Sequence, residues 1–184
     1  MQPTSERTTT TALEALLREQ ALIGGWVLDP HNSTIRLHNK SMWGLVPVNG
    51  EFRDVSGHGT VSADGEVSGT IRVAAASIDT RNPKRDAHLR SADFFDSANN
   101  PDIIFNADGI RPSGQGVAVT GVLTVRDRTR PLNFEAAATV RDKGEIWLDA
   151  QVHVTQAEFG LTWNLLGTVG RTNTLTIHAV FTRR

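Results

Sequence analysis

Cysteine is absent from this 184-residue chain. That excludes disulfides and thiolate metal sites and leaves the redox compartment open. A sizeable net charge is missing too: 19 Lys and Arg stand against 20 Asp and Glu, a formal charge of −1, so no global field favours nucleic acid or an anionic membrane. No stretch approaches the ~20 apolar residues that span a bilayer, so stable membrane insertion is not expected. The opening MQPTSERTTTTALEALLREQ lacks the unbroken apolar core of an export signal, being interrupted by Glu14, Arg18 and Glu19. The chain as written is therefore expected in the cytoplasm, or in the periplasm or outside the cell if it is a processed form. Hydrophobic residues at 39% and charged ones at 21% place it among ordinary globular domains.

Signals for familiar chemistry are also scarce. His31, His38, His58, His88, His153 and His178 are scattered with no H-x-x-x-H pair, so no metal site is expected. Asp86, His88, Ser91 and Asp93 crowd together, but no G-x-S-x-G elbow accompanies them. On a short helix Asp86 and His88 would point apart. Capping and hydrogen bonding is the favoured role, and a hydrolase or isomerase centred on His88 is the rival. Three arginines in Arg126-Asp127-Arg128-Thr129-Arg130, with Arg85 and Arg90 nearby, could hold a phosphate or simply form a solvated turn.

What the sequence does have is alternation. Residues 1–10 are polar and Thr-rich, a tail expected to be disordered. Residues 11–25 follow as an amphipathic helix, with Thr11 and Glu14 matching a capping box, Leu13, Leu16, Leu17 and Ile23 forming a stripe, and Gly24-Gly25 as the stop. From Trp26 the period becomes two. Val67 to Ala75, Val117 to Val125, Leu132 to Val140, Ile146 to Val154 and Leu175 to Phe181 each carry one apolar face. Ala63-Asp64-Gly65, Pro112-Ser113-Gly114 and Asp142-Lys143-Gly144 read as the turns of an antiparallel meander. Pro83 to Ser91 predicts a short helix, and Phe94 and Phe95 are too apolar for a free loop, so they are expected to pack across an opening.

Long strands with one apolar face pair into two sheets or close on themselves. Gly69, Ala75, Gly121, Ala136, Ala138 and Ala150 all fall on that face. So many small residues would underfill a barrel of about eight strands and leave a cavity, although a close-packed sandwich would also tolerate them. Periodicity alone does not separate a greasy tube from a filled core. In the filled version the chain is an interaction or dimerisation module built around its extra helix.

The stretch RDAHLRSADFF, Arg85 to Phe95, followed by Pro101-Asp102-Ile103-Ile104-Phe105, resembles the bacterial YceI-like family. Trp26-Val27-Leu28-Asp29-Pro30, Val48-Asn49-Gly50-Glu51-Phe52, Ser77-Ile78-Asp79-Thr80, Val119 to Pro131 and Glu158-Phe159-Gly160-Leu161 continue the likeness in order. The chain departs at Asn32 and Ser41, where histidines are usual, and at Gln156, where an arginine is usual. The resemblance covers about residues 26–184. It implies an antiparallel, lipocalin-like, up-and-down barrel of about eight strands, with a short helix crossing one opening and the N-terminal helix as an extra. It also implies a binding protein and not an enzyme, one that sequesters or carries a polyisoprenoid, such as an isoprenoid quinone or polyprenyl lipid. No cofactor is expected apart from that lipid ligand, and a homodimer follows at the level of resemblance only. Inward residues expected to line the tube are Ile71, Val73, Leu89, Phe94, Phe95, Ile103, Phe105, Val119, Leu123, Phe134, Leu148, Phe159 and Trp163. Arg85, His88 and Arg90 are the candidate head-group contacts.

Overall fold

A computed structural model of the chain describes residues 13–41, 46–114, 116–141, 144–161 and 172–184. The alternating segments become strands β1 (Gly24–Leu28), β2 (Thr34–Ser41), β3 (Val46–Phe52), β4 (Val55–Val61), β5 (Val67–Ala74), β6 (Ile78–Asp79), β7 (Asp102–Ser113), β8 (Gly116–Val125), β9 (Arg128–Pro131), β10 (Phe134–Arg141), β11 (Glu145–Thr155) and β12 (Thr172–Arg183). Among the described residues two α-helices join them, α1 over residues 13–18 and α2 (Pro83–Arg90). Every strand pairing is antiparallel, and the order β1-β4-β5-β7-β8-β10-β11-β12 closes into a ring because β12 also pairs with β1. This is the expected eight-stranded up-and-down barrel. Closure leaves no free edge along the ring, the most direct remedy for exposed strand edges.

Several staves of the barrel are lines of chain broken once. Along β12, β1 takes the end at Phe181 to Arg183 and β2 takes Thr174 to His178. Between them, residues 29–33 swing out. At that break the Asp29 N–H donates to the Val180 carbonyl at 2.8 Å, and the buried Ser33 Oγ accepts from the Val180 N–H at 3.0 Å. The ladder is thus repaired without a strand, as buried backbone groups require. The Asp29 carboxylate accepts from the Asn32 side chain at 2.7 Å and from the His31 N–H at 2.9 Å. In that order these bonds hold its pKa below the usual carboxylate value. The strand read from Leu132 to Val140 starts instead at Phe134; β9, which precedes it, and β10 keep a single register against β8, with Leu132 and Asn133 at the interruption.

Two further readings are corrected. The N-terminal helix does not run to residue 25. Among the described residues it covers 13–18, residues 19–22 turn, and Gly24 and Gly25 already belong to β1. Thr11 of the capping box, and the tail at 1–10, lie outside the described residues. Pro112 and Ser113 also belong to β7, paired with Val117 and Gly116, so that turn narrows to Gly114 at φ +52°.

The connection from β5 to β7 is where the helix predicted from Pro83 forms. Asn82 caps it, its side chain accepting from the Arg85 N–H at 3.1 Å with proline in the first turn. Asp86 is buried and accepts from the Thr80 N–H at 2.9 Å, which ties α2 to β6. Phe94 and Phe95 follow, buried and edge-to-face with ring centres 4.8 Å apart, at the end of the barrel that also carries the β8–β9 turn and the Gln156–Phe159 3-10 helix. The opposite end holds the β4–β5 turn, the start of β1 and α1. No helix among the described residues is long and apolar enough to cross a membrane.

Candidate functional site

The inward faces of the eight staves do not meet. They enclose a cavity of about 220 Å³ that runs from α1 at one end to Phe95, Phe159 and Leu161 at the other. Its size follows from the sequence. Gly69, Ala136, Ala138 and Ala150 all face it, and small side chains on a ring of eight strands cannot reach the axis. Two of the six small residues behave otherwise. Ala75 lies in a 3-10 turn instead of on β5. Gly121 lies beneath Phe105, whose ring would stand 2.9 Å from a Cβ there, so glycine lets that ring lie against β8.

Accessibility locates the apolar surface. Among the described residues Val27 is the one large hydrophobic classed as exposed. Ile71, Ile103, Phe105, Phe134, Leu148 and Ile177 are only half-buried, and all of them line the cavity. Their uncovered area is the chamber wall. An apolar void of this volume, left empty, forgoes on the order of 5 kcal/mol of packing. It exceeds the ~150 Å³ at which an apolar cavity stays dry and admits a small hydrocarbon.

Ten of the thirteen residues read from the sequence as lining do face the chamber: Ile71, Val73, Phe95, Ile103, Phe105, Val119, Leu123, Phe134, Leu148 and Phe159. Leu89 and Phe94 do not. Leu89 packs against the core from α2, and Phe94 is buried behind Phe95 with its carbonyl accepting from Arg126 at 3.2 Å. Trp163 lies outside the described residues. The three candidate head-group contacts are not at the chamber wall either. Arg85 donates to the Thr80 Oγ1 and carbonyl at 2.8 and 3.0 Å, and Arg90 to the Ile78 carbonyl at 2.8 Å. His88 shares α2 with them and is likewise absent from the lining.

The grouping that raised a nucleophilic site is arranged for structure. Ser91 Oγ donates to the His88 backbone carbonyl at 2.7 Å, and the Asp86 carboxylate faces Thr80. Among the described residues no three His, Asp or Glu side chains converge as metal ligands. His38 and His178 instead meet Asn49 and Asp149 at 2.6 Å on the outer face.

Sequence reasoning placed Phe95 and Phe159 at the lining and expected Phe94 and Phe95 across one opening, but it did not name Leu13, Leu17, Leu22, Gln156 or Asn173 as lining. At one end Leu13, Leu17 and Leu22 face inward, with Leu13 and Leu22 buried. This segment is fastened down: Trp26 Nε1 donates to the Leu22 carbonyl at 3.0 Å, and Arg183 donates to the carbonyls of Ala21 and Ile23 while lying over the Trp26 ring at 5.1 Å. At the other end Gln156 and Asn173 are buried, line the chamber, and bond to each other at 3.1 Å, Gln156 Nε2 donating to Asn173 Oδ1. Asn173 had a readable signal, a polar residue in phase with Leu175 and Ile177. The α1 contact had none beyond its leucine stripe, because periodicity does not say where a helix docks.

A family model of the YceI-like domain matches residues 26–181. Protein YceI of Escherichia coli O17:K52:H18 is 34% identical over 89 residues, 47% of this chain and 47% of the relative. A UPF0312 protein of Serratia proteamaculans is 29% identical over 124 residues, 63% of this chain and 64% of the relative. The matched stretch thus spans about half to two thirds of these relatives. Among solved structures, Burkholderia cenocepacia BcnA superposes with a TM-score of 0.75 at 20% identity, covering 83% of this chain and 98% of that one. A polyisoprenoid binding domain from Saccharophagus degradans gives a TM-score of 0.71 at 14% identity, covering 86% and 98%. At these identities the likeness is one of fold.

Proposed function

The chain belongs to the YceI-like family, and from that premise we propose that it holds a long apolar ligand of the polyisoprenoid class within its barrel, sequestering or carrying it. The observation that carries this reading is the chamber: about 220 Å³ walled almost entirely by hydrocarbon, while among the described residues Val27 is the one large hydrophobic exposed outside. Each buried CH₂ of a ligand contributes about 0.8 kcal/mol before ordering costs, so a chain of several isoprene units binds by contact alone. The naming of the Saccharophagus neighbour as polyisoprenoid binding supports the class. The mechanism is partition and shielding, with no bond made or broken.

Mass spectrometry of an organic extract from the purified protein, beside native mass spectrometry of the intact sample, tests the proposal. A stoichiometric polyprenyl or quinone species is the expected result. Protein that is empty and also refuses added isoprenoids would sink it and favour a role in association.

A further inference from the structure

At one end the chamber wall includes side chains that the barrel strands do not supply. Leu13 and Leu17 stand one turn apart on the same face of α1, and both belong to the wall. Leu16 packs against the core as well but is absent from the wall. The helix then ends in a Schellman motif. Gln20 takes φ +58°, its N–H donates to the Leu17 carbonyl at 3.1 Å, and the Ala21 N–H donates to the Leu16 carbonyl at 2.9 Å. That turn redirects the chain, and Leu22 joins the same wall. The Gln20 side chain donates to the Ala63 carbonyl of the β4–β5 turn at 3.5 Å. With the bonds from Trp26 and Arg183 already described, the segment is seated at several points.

The barrel residues of the wall at this end, among them Trp26, Val61, Val67, Ile110, Ile146 and Phe181, are apolar. Thr60 and Ser68 alternate with Val61 and Val67, so their side chains point outward. What abuts α1 is therefore suited to a hydrocarbon tail. Volume limits how much of that tail fits. An apolar cavity of ~150 Å³ takes up benzene, so the chamber's 220 Å³ corresponds to about nine carbons, close to two isoprene units. Further units of a longer chain have to lie beyond the enclosed space, and at this end α1 stands in the way. The YceI-like match begins at Trp26, so the leucines of α1 lie outside the part that the family model describes.

We propose that Leu13 and Leu17 form the end-stop of the chamber and set the length of polyisoprenoid tail that it encloses. The tail runs along the barrel axis until it meets these two side chains. Trimming them lengthens the enclosed path, and enlarging them shortens it. The inference rests on the ligand-binding reading above.

The test titrates geraniol, farnesol and geranylgeraniol, prenols of increasing length, into delipidated protein and follows tryptophan fluorescence, Trp26 being part of the wall. A unit that finds room should improve affinity by at least about tenfold, and one that does not by less than about threefold. Wild-type protein is expected to gain little between geraniol and farnesol. Leu13→Ala with Leu17→Ala removes about six carbons, and such sites collapse only in part, so about one further isoprene unit should fit. Farnesol should then bind at least about tenfold more tightly than geraniol. Leu17→Phe adds bulk at the same place and should weaken geraniol by about fivefold. Leu16→Ala loosens the same helix without touching the wall and should repeat the wild-type series. An identical series in wild type, the double variant and Leu17→Phe overturns the inference. So does a gain in length by Leu16→Ala that matches the double variant, since loosening of α1 then accounts for it. Wild-type affinity that climbs at least about tenfold with every unit overturns it too. Failure of all three prenols to bind wild type and variants alike overturns the ligand-binding reading itself, which is a different outcome from binding without a length limit.

Discussion

Replacing Ala150 by leucine decides between an open chamber and a filled core by the sign of its effect. Ala150 faces inward from the middle of β11, opposite Ile177 of β12, and keeps surface accessible to the chamber. Leucine adds three carbons, worth about 2.4 kcal/mol when buried at about 0.8 kcal/mol each. Fixing the new side chain costs about 0.5–1 kcal/mol. The empty protein should therefore gain about 1.5–2 kcal/mol, a rise in Tm of about 3–8 °C for a chain of this size. Uptake of a polyprenol should fall at the same time, because the side chain occupies the ligand's space. In a close-packed interior the same substitution would cost about 1–3 kcal/mol by overpacking. Thermal unfolding of delipidated protein by circular dichroism reads the difference. Ala137→Leu, on the exposed face of β10, is the control and should move stability by less than about 0.5 kcal/mol. A fall in Tm for Ala150→Leu with an unmoved control would refute the chamber.

Three further outcomes follow from the geometry. Leu123→Asp places a carboxylate among the buried lining of β8 and should abolish uptake while destabilising by several kcal/mol; Thr124→Asp, one residue along on the outer face, should keep uptake in a vesicle-to-protein transfer assay. Arg183→Met removes both donors to the carbonyls of Ala21 and Ile23. Loosening of the α1 segment by about 1 kcal/mol then raises the rate of tryptic cleavage at Arg18 by about fivefold, and an unchanged rate would show that these bonds do not hold the segment. For Asp29 the folded state lowers the pKa, so its carboxylate contributes stability above its unfolded pKa and loses it as pH falls through the folded one. The Tm gap between wild type and Asp29→Ala should accordingly shrink as pH drops from about 5 to below 3, the region of the usual aspartate pKa; a gap that persists there contradicts this account.

The barrel was legible because its strands carry their burial in their spelling. β5, β8, β11 and β12 alternate over most of their length, and most positions on the apolar phase face the chamber, Gly121 and Val152 being absent from its lining. The interruptions were less legible. Residues 29–33 and 132–133 break a stave without ending it, since hydrogen bonds from Asp29 and to Ser33, and from the Leu132 N–H to the Gly121 carbonyl at 2.9 Å, keep the line. Adjacent aromatics misled in a simple way: Phe94 and Phe95 cannot both point inward, and nothing local says which one turns. Arginines near a mouth suggested a head-group site, whereas the backbone carbonyls left by the irregular β5–β7 connection claim them. Only spatial neighbours reveal such demands.

The pairing of β1 with β12 has a consequence for how the molecule is assembled. Thr182 reaches back to Val27 across 155 residues of sequence, and the Arg184 N–H reaches the Gly25 carbonyl at 2.9 Å. A seam between the first and last strands forms only after every intervening hairpin is available. Such non-local pairing slows folding toward milliseconds to seconds. Until it closes there is an open, curved sheet with two bare margins and a greasy concave face, and no interior. An apolar chain present at that moment could be wrapped by the closing sheet, and one arriving later must pass a mouth already covered by side chains. Refolding denatured protein with and without the ligand therefore separates capture during closure from entry into the finished barrel.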